Sequence, residues 1–185
     1  MRRPVLALIL AVFTLPGCSG GFGPPAFGDA AADHSPARQS SPTAAARAVL
    51  DALMTKDGER LAQWAHPQLG VRFSPYAFVD PQRDVVMHRP ELERFWNDTT
   101  PRLWGTQDGT GDPIRLTPSQ YAQRYILDRD FTSASVQVNR DQAQGNSLNN
   151  AAAIYPAGTR VEYYLPPGAN GLDWRALRLM FQFQG

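Results

Sequence analysis

The sequence predicts an α+β fold in which helices come first and antiparallel strands come last. Apolar residues recur with helical spacing between about residues 42 and 126, and they alternate with a period of two from residue 131 onward. This order favours N-terminal helices packed on a curved antiparallel sheet. A chain of 185 residues is long enough for one such domain, preceded by a leader and a tether.

An apolar leader opens the chain. Arg2 and Arg3 precede a nearly uninterrupted apolar run from Val5 to Leu15, as in the charged and hydrophobic regions of a secretory signal. The run is too short to span a bilayer, which takes about 20 apolar residues. The pattern therefore predicts a signal peptide over residues 1–17.

The leader ends at Leu15-Pro16-Gly17-Cys18, which contains the only cysteine of the chain. This stretch resembles the lipobox of bacterial lipoproteins, although Pro16 replaces the small or hydroxylated residue usual there. The resemblance implies that Cys18 is acylated and anchors the mature protein to a membrane of the cell envelope. Ser19 then favours the outer membrane, facing the periplasm, if the organism is Gram-negative. The alternative is an ordinary secretory signal followed by a free thiol.

Residues 18–41 are predicted to form a disordered tether. They are mostly Gly, Pro, Ala and Ser with no apolar period, so they cannot bury enough surface to fold.

The net charge of the chain is +1 and its arginines are scattered, which argues against a nucleic-acid partner. With Cys18 acylated, the domain over residues 42–185 has no thiol for a disulfide, a metal ion or a nucleophile.

Capping patterns place the helices. Ser41-Pro42 predicts the start of a helix that ends near Lys56, and Asp57-Gly58 predicts a left-handed stop after it. A second helix is predicted from Glu59 to Ala65, before His66-Pro67 breaks it. Two further helices are predicted, one that starts at Pro90 and stops by Thr99, and one that follows the capping box Thr117-Pro118-Ser119-Gln120.

Apolar runs between turn residues predict the strands. Pro75 interrupts the extended chain from Val71 to Val79 and confines it to an edge or a bend. The other predicted strands are Val85–Met87, a hairpin around the glycine-rich turn between Trp104 and Ile114, a segment with Val136 and Val138, Thr159–Leu165 and Trp174–Gln184. The last strand has the most regular apolar face and would leave a bare edge. One interpretation is that a closing strand is missing after Gly185; the alternative is that the chain ends there and the exposed edge pairs with a partner chain.

The order of these elements resembles the nuclear-transport-factor-2-like, or cystatin-like, architecture. The stretch VLDALMTKDGERLAQWAHPQLGVRFS, residues 49–74, is similar to the opening of small exported domains of this kind. The resemblance is one of pattern and covers residues 42–185. It implies a helical corner and a curved sheet around a cavity, and it leaves the function open.

Aromatic and arginine side chains in the predicted strands suggest a ligand site. If the sheet curls around a cavity, Arg72 and Arg178 beside Tyr76 and Tyr163 would form a polar anchor for a small ligand. The alternative is that both arginines point to solvent from the outer face of the sheet while the aromatic residues form the core. The aromatic set is Trp64, Tyr76, Trp104, Tyr163, Tyr164 and Trp174.

The candidates for catalysis are few. His66 follows the second helix and is the best candidate for acid–base chemistry, whereas its alternative role is simply to end that helix before Pro67. Asp80, Asp84 and Asp173 are candidate bases, or else solvated loop acids.

Motif spacing excludes most other chemistry. The histidines have no metal-binding spacing, and neither a serine-hydrolase elbow nor a nucleotide fingerprint occurs, so no metal and no cofactor are predicted. The sequence thus favours an envelope lipoprotein with a non-catalytic domain that binds a small ligand or another envelope component. The alternative is an enzyme that uses His66 and a carboxylate.

Overall fold

The computed structural model describes residues 41–141, 148–169, 171 and 173–184, together with the backbone of residues 8–10 and 13–16. It confirms the α+β class. The helices are α1 (Pro42–Met54), α2 (Gly58–Ala62), α3 (Arg89–Glu93), α4 (Pro118–Tyr121), continued by a π-helical turn (Ala122–Ile126), a 3₁₀ turn (Phe131–Ser133) and α5 (Ala151–Ile154). The strands are β1 (Leu8–Leu10), β2 (Phe13–Pro16), β3 (Val71–Ser74), β4 (Val85–Met87), β5 (Arg102–Thr106), β6 (Pro113–Leu116), β7 (Ser135–Val138), β8 (Thr159–Leu165) and β9 (Arg175–Gln184).

The predicted helix starts at Ser41 and Thr117 are confirmed. The Ser41 side chain caps α1 by accepting a hydrogen bond from the backbone N–H of Ala44. At α4, Thr117 and Gln120 form a reciprocal capping box. Each cap satisfies backbone donors that the first helical turn would otherwise leave unpaired.

The stop after α1 differs from the prediction. The left-handed residue is Lys56, with φ of 56°, and not Gly58. Gly58 instead begins α2. A larger residue there would collide with α3, because its Cβ atom would lie 2.5 Å from the carbonyl oxygen of Glu93. A glycine at this position therefore permits the close approach of α2 to α3.

The strands form one large sheet and one hairpin. The large sheet has the order β4-β3-β1-β9-β8-β7, and β2 also pairs with β9. All described pairs among β3 to β9 are antiparallel, and β5 and β6 form the predicted hairpin. The edge of β9 that was expected to be bare is occupied, because β1 and β2 lie along it in the parallel direction.

Strands β8 and β9 alternate as predicted. Val161 pairs with Leu179 and Tyr163 with Leu177, and these residues are buried in the same core cluster as Leu50 of α1. Of the two interpretations of Arg178, the one that placed it in solvent on the opposite face is wrong. Arg178 is 2% exposed because a second, smaller core covers that face, formed by Val79, Ala151, Tyr155 and Met180.

Aromatic rings fill the centre of the main core. Trp104 and Tyr121 stack with ring centroids 3.9 Å apart, and Tyr121 stacks in turn on Tyr125 at 5.2 Å. Phe73 of β3 meets Trp104 edge-on at 5.6 Å. These contacts join β3, β5 and α4 into a rigid support for the neighbouring surface.

No helix in the described part of the chain is both long and apolar enough to pass through a bilayer.

Candidate functional site

An apolar cleft lies between the bend that follows β3 and the strand β5. Its volume is about 570 Å³, which falls within the range of small-ligand sites. We call it the aromatic cleft. Its lining residues are Pro75, Tyr76, Phe78, Asp80, Arg83, Asp84, Leu103, Trp104, Gly105 and Thr106.

Backbone irregularities on both sides create the cleft. Pro75 ends β3, so the chain bends away from the sheet instead of continuing along it. The β5–β6 pairing shifts its register between Leu103 and Thr106, and Gly105 adopts a φ of 131° within that shift. A Cβ atom at Gly105 would lie 3.4 Å from Cγ of Pro75, so a side chain at this position would fill the space between the two walls.

The floor of the cleft is held in place by Trp104. Its side chain is fully buried, and the indole N–H donates a 2.8 Å hydrogen bond to the carbonyl of Leu116. Tyr76 closes one end, where its hydroxyl accepts a hydrogen bond from the backbone N–H of Asp108. Both aromatic side chains therefore have their polar atoms bonded to the protein. The half-buried Tyr76 offers apolar surface to the cleft, whereas Trp104 supports the cleft from within the core.

The mouth of the cleft carries exposed apolar side chains. Phe78 comes from the bend after β3 and Leu103 from β5; both line the cleft, and each is 48% exposed. Most large apolar residues of a folded domain lose much more of their surface than this. Two such side chains at the rim of a concave apolar surface are typical of a binding site.

Asp84 supplies the polar end of the cleft. Its Oδ2 atom accepts hydrogen bonds from the Ser74 hydroxyl and from the backbone N–H of Asp80. Burial raises the pKa of Asp84, against the opposing effects of these bonds and of the Arg72 charge. Among the described residues no donor bonds to Oδ1, which leaves this oxygen available to a ligand. Asp84 is thus a half-buried acid and not the solvated loop acid that the sequence suggested.

The Tyr121 hydroxyl lies behind this wall without a partner. It is fully buried, and within the described part of the chain no group hydrogen-bonds to it. Burial, with a smaller effect from the Asp84 charge, raises the pKa of Tyr121 well above its ordinary value. A buried hydroxyl without a partner normally indicates a bound water or another polar group. Tyr121 does not line the cleft, so this unused hydrogen-bonding capacity belongs to the core behind it.

Asp84 gives the folding stability a distinct pH dependence. Its ordinary pKa is 3.8, and the folded-state pKa is higher. Between the two values the folded state binds more protons than the unfolded state, so stability falls as pH rises through the folded pKa. We expect Asp84→Asn, which keeps an acceptor for Ser74, to lose less stability over that interval. Urea unfolding at a series of pH values measures this. The exposed Asp108→Asn is the control, and parallel profiles for wild type and Asp84→Asn would contradict the assignment.

The predicted ligand residues do not converge on this cleft. Tyr76 lines it, but Arg72 points to the bend behind it, where its guanidinium donates to the carbonyls of Asp80 and Pro81 and to the hydroxyl of Tyr155. Arg72 therefore holds the bend in shape instead of facing a ligand.

Tyr163 and Arg178 lie elsewhere in the sheet. Tyr163 is buried in the main core, and burial raises its pKa to about 12. Arg178 lies on the opposite face, where its Nε atom donates a 2.7 Å hydrogen bond to the fully buried Glu162. The strand alternation that predicted both residues was right, but the two side chains leave the sheet in opposite directions.

His66 lies in a tight turn away from the cleft. Its Nδ1 atom accepts hydrogen bonds from the backbone N–H groups of Gln68 and Leu69, and burial lowers its pKa. These bonds require an unprotonated Nδ1, so they also disfavour the charged form. The structure thus gives His66 a role in the turn before β3. Across the described residues no cluster of His, Cys, Asp and Glu has the composition of a metal site.

A second cavity, of about 650 Å³, lies among the ends of the first three helices. Its lining is mostly polar and charged, with Lys56, Glu59 and Glu93 around the side chain of Trp96. It lacks the apolar walls of the aromatic cleft, so we regard the cleft as the candidate site.

Two predictions about the N-terminal region have no structural counterpart. Cys18 and the tether lie outside the described residues, except for Ser41 at the start of α1.

No model of a known protein family matches the chain, and comparisons with curated proteins and with solved structures give no match either.

Proposed function

We propose that this chain is a lipoprotein of the cell envelope whose domain binds a small apolar ligand in the aromatic cleft without catalysing a reaction. The observation that carries the proposal is the cleft itself. Its volume of about 570 Å³ combines a rigid aromatic floor with exposed apolar side chains at the rim. Docking to another envelope component through the same rim is the second form of this proposal.

The polar groups of the cleft indicate the class of ligand. The cleft is largely apolar, and its charged lining residues are Asp80, Arg83 and Asp84, of which Arg83 pairs with the Asp80 carboxylate at 3.9 Å. The side chain of Asp80 is committed to the turn, because Oδ1 accepts from the backbone N–H groups of Gln82 and Arg83. Asp84 is therefore the group that a ligand would meet. A flat or elongated apolar ligand with one hydrogen-bond donor, neutral or cationic, fits this arrangement.

The enzyme alternative has less support. It requires His66 to face a cavity within hydrogen-bonding distance of an acid. In the structure the Nδ1 atom of His66 is taken up by backbone N–H groups, and His66 is not among the residues that line the aromatic cleft.

The binding proposal predicts that removing the rim weakens capture of an apolar probe. We expect Phe78→Ala to raise the Kd for the neutral dye Nile red at least about fivefold, because it removes roughly 1 kcal/mol of apolar contact. Fluorescence titration measures the Kd. Val136→Ala is the control, since Val136 is a similarly exposed apolar residue on β7, outside the cleft. Equal effects of the two substitutions would show that the dye binds apolar surface in general.

The anchor is tested separately from the cleft. In bacteria supplied with labelled palmitate, the wild-type protein is expected to incorporate the label, whereas Cys18→Ala should not, because the acceptor thiol is gone. Ser19→Ala is a matched control that keeps the thiol. If the wild-type protein carries no label, the lipoprotein proposal is wrong, and Cys18 belongs to an ordinary secreted or cytosolic chain.

For the fold we further propose the nuclear-transport-factor-2-like, or cystatin-like, arrangement. What supports it is the order of elements: a corner between α1 and α2, the bent strand β3, the small helix α3 and the antiparallel run β7-β8-β9. The aromatic cleft opens beside the bend of this arrangement. An experimental structure of the domain tests the proposal, which fails if helices and sheet are arranged differently.

A further inference from the structure

The edge of β9 that faces away from β8 is filled by residues from the leader. β1 lies between β3 and β9, pairing Ile9 with Phe73 in the antiparallel direction and Leu8 with Arg178 in the parallel direction. β2 continues along β9 as far as the pair of Pro16 with Gln184. We call β1 and β2 the leader strands. In the described sheet, β3 and β9 are joined through β1, and β2 pairs with β9.

β9 has the character of an interior strand. Leu177 and Leu179 are buried in the main core on one face, and Met180 is buried with Val79 and Tyr155 on the other. Backbone N–H and C=O groups buried in this way need partners along both edges of the strand, because an unpaired buried group costs as much as a lost hydrogen bond. Residues of the domain cover both faces of β9, whereas the leader strands cover its second edge.

Removal of the leader would open that edge. This step depends on the proposed function, in which processing takes place before Cys18. The backbone of β9 from Arg178 onward, and that of β3 opposite, would then lose its pairing partners, while the domain still covers both faces of β9 between Arg178 and Phe181. A gap between two strands of a sheet can accept an extended segment through main-chain hydrogen bonds.

We propose that this gap between β3 and β9, the strand slot, is a peptide-binding site. In the mature protein it takes an extended apolar segment of a partner polypeptide, running parallel to β9. The evidence for this kind of ligand is the pair of leader strands that occupy the slot in this structure. Their sequences, LIL and FTLP, are mostly apolar, and both strands run parallel to β9. A parallel neighbour cannot be supplied by a tight turn after β9, since parallel strands need a long connection.

The parallel direction also argues against a second copy as the occupant. In a two-fold symmetric pair, the same strand of each copy would meet its counterpart in the antiparallel direction. The slot is filled here by strands parallel to β9, and on its other side β1 is antiparallel to β3. A strand from a different chain satisfies both relations without a symmetry constraint.

The test uses the full chain with the leader retained and compares it with the double substitution Ile9→Pro and Phe13→Pro. Proline removes a backbone donor and is not tolerated in an interior strand, so it should empty the slot. Successive amides of β9 point to opposite edges, so those bonded to β8 serve as an internal control. Amide hydrogen exchange should become at least about tenfold faster at the slot-facing positions alone.

A peptide with the sequence of residues 5–16 then tests the slot in trans. Added to the double variant, it should restore protection of the slot-facing amides, whereas a scrambled peptide of the same composition should not. If the double variant unfolds, refolding by the first peptide and not by the second gives the same answer. Failure of the peptide to bind, or to refold the variant, overturns the proposal.

Two further outcomes would also overturn it. One is a monomeric double variant in which every β9 amide stays protected without peptide, since the slot would then close on itself. The other is a dimer of the variant with β9 protected, since the occupant would then be a second copy. Acylation of Cys18 is measured by label incorporation in a separate experiment, so failure of the lipid anchor is distinguishable from failure of the slot.

Discussion

Substituting Arg178 by methionine is expected to lower the free energy of unfolding by about 3–5 kcal/mol, because it leaves the charge of Glu162 buried without its main partner. Glu162 is fully buried and Arg178 is 2% exposed. Their Nε–Oε2 distance is 2.7 Å, and Asp141 lies 3.5 Å from the same Nε atom. Urea unfolding followed by circular dichroism measures the change.

The double variant Arg178→Met, Glu162→Leu separates the cost of the unpaired charge from the value of the pair. It removes both charges, and the surrounding face already contains Val79 and Met180, so an apolar pair fits its neighbours. We expect the double variant to recover most of the lost stability. Arg47→Met is the surface control: the Arg47–Asp51 pair is exposed, and we expect a loss below about 1 kcal/mol. A double variant as unstable as the sum of its two single changes would contradict this account.

Local rules predicted the parts of the fold that depend on neighbours in sequence. Ser41 and Thr117 cap helices because their side chains reach backbone donors three residues away, and β8 has the predicted bounds Thr159–Leu165. The same alternation placed Tyr163 and Arg178 on opposite faces. It could not show whether Arg178 meets water, since that depends on a layer brought from elsewhere in the chain.

That layer is held by a contact between distant residues. The Asn150 side chain accepts from the backbone N–H of Val79 and donates to its carbonyl, at 2.8 Å and 2.9 Å. This pins the bend after β3 against α5 and covers the outer face around Arg178. The hydrophobic periodicity of the bend after β3 or of α5 cannot reveal a bond between the two. The sequence therefore allowed two interpretations of Arg178, one facing solvent and one facing a ligand.

The aromatic cleft escaped prediction for the same reason. The sequence singled out Tyr76 and Trp104 as members of the aromatic set and Asp84 as a candidate base, but it gave no distance between them. They converge because Pro75 ends β3 and because the register shift in β5 turns the chain around Gly105. The best sequence signal was Pro75 in the middle of an apolar run, which indicated an edge strand or a bend.

Trp104 belongs both to the main core and to the aromatic cleft. Its truncation is therefore expected to have the second large effect on the free energy of unfolding. Trp104→Ala removes a fully buried side chain that stacks on Tyr121 and meets Phe73 edge-on. We expect a loss of about 3–5 kcal/mol in the free energy of unfolding, because the core around it can collapse only in part. A loss of this size approaches the whole stability of a domain such as this, so a milder substitution is needed alongside it.

Trp104→Phe keeps most of the ring packing but leaves the Leu116 carbonyl without its indole donor, which should cost about 1–3 kcal/mol. Trp96→Phe is the matched control: within the described part of the chain the Trp96 indole N–H has no hydrogen-bond partner, so the same exchange removes no bond. The Kd for Nile red should rise with Trp104→Phe and stay unchanged with Trp96→Phe, since only Trp104 lines the cleft. Equal stability losses for the two substitutions would show that the indole hydrogen bond does not hold the floor. Unchanged dye binding in Trp104→Phe would place the ligand elsewhere on the domain.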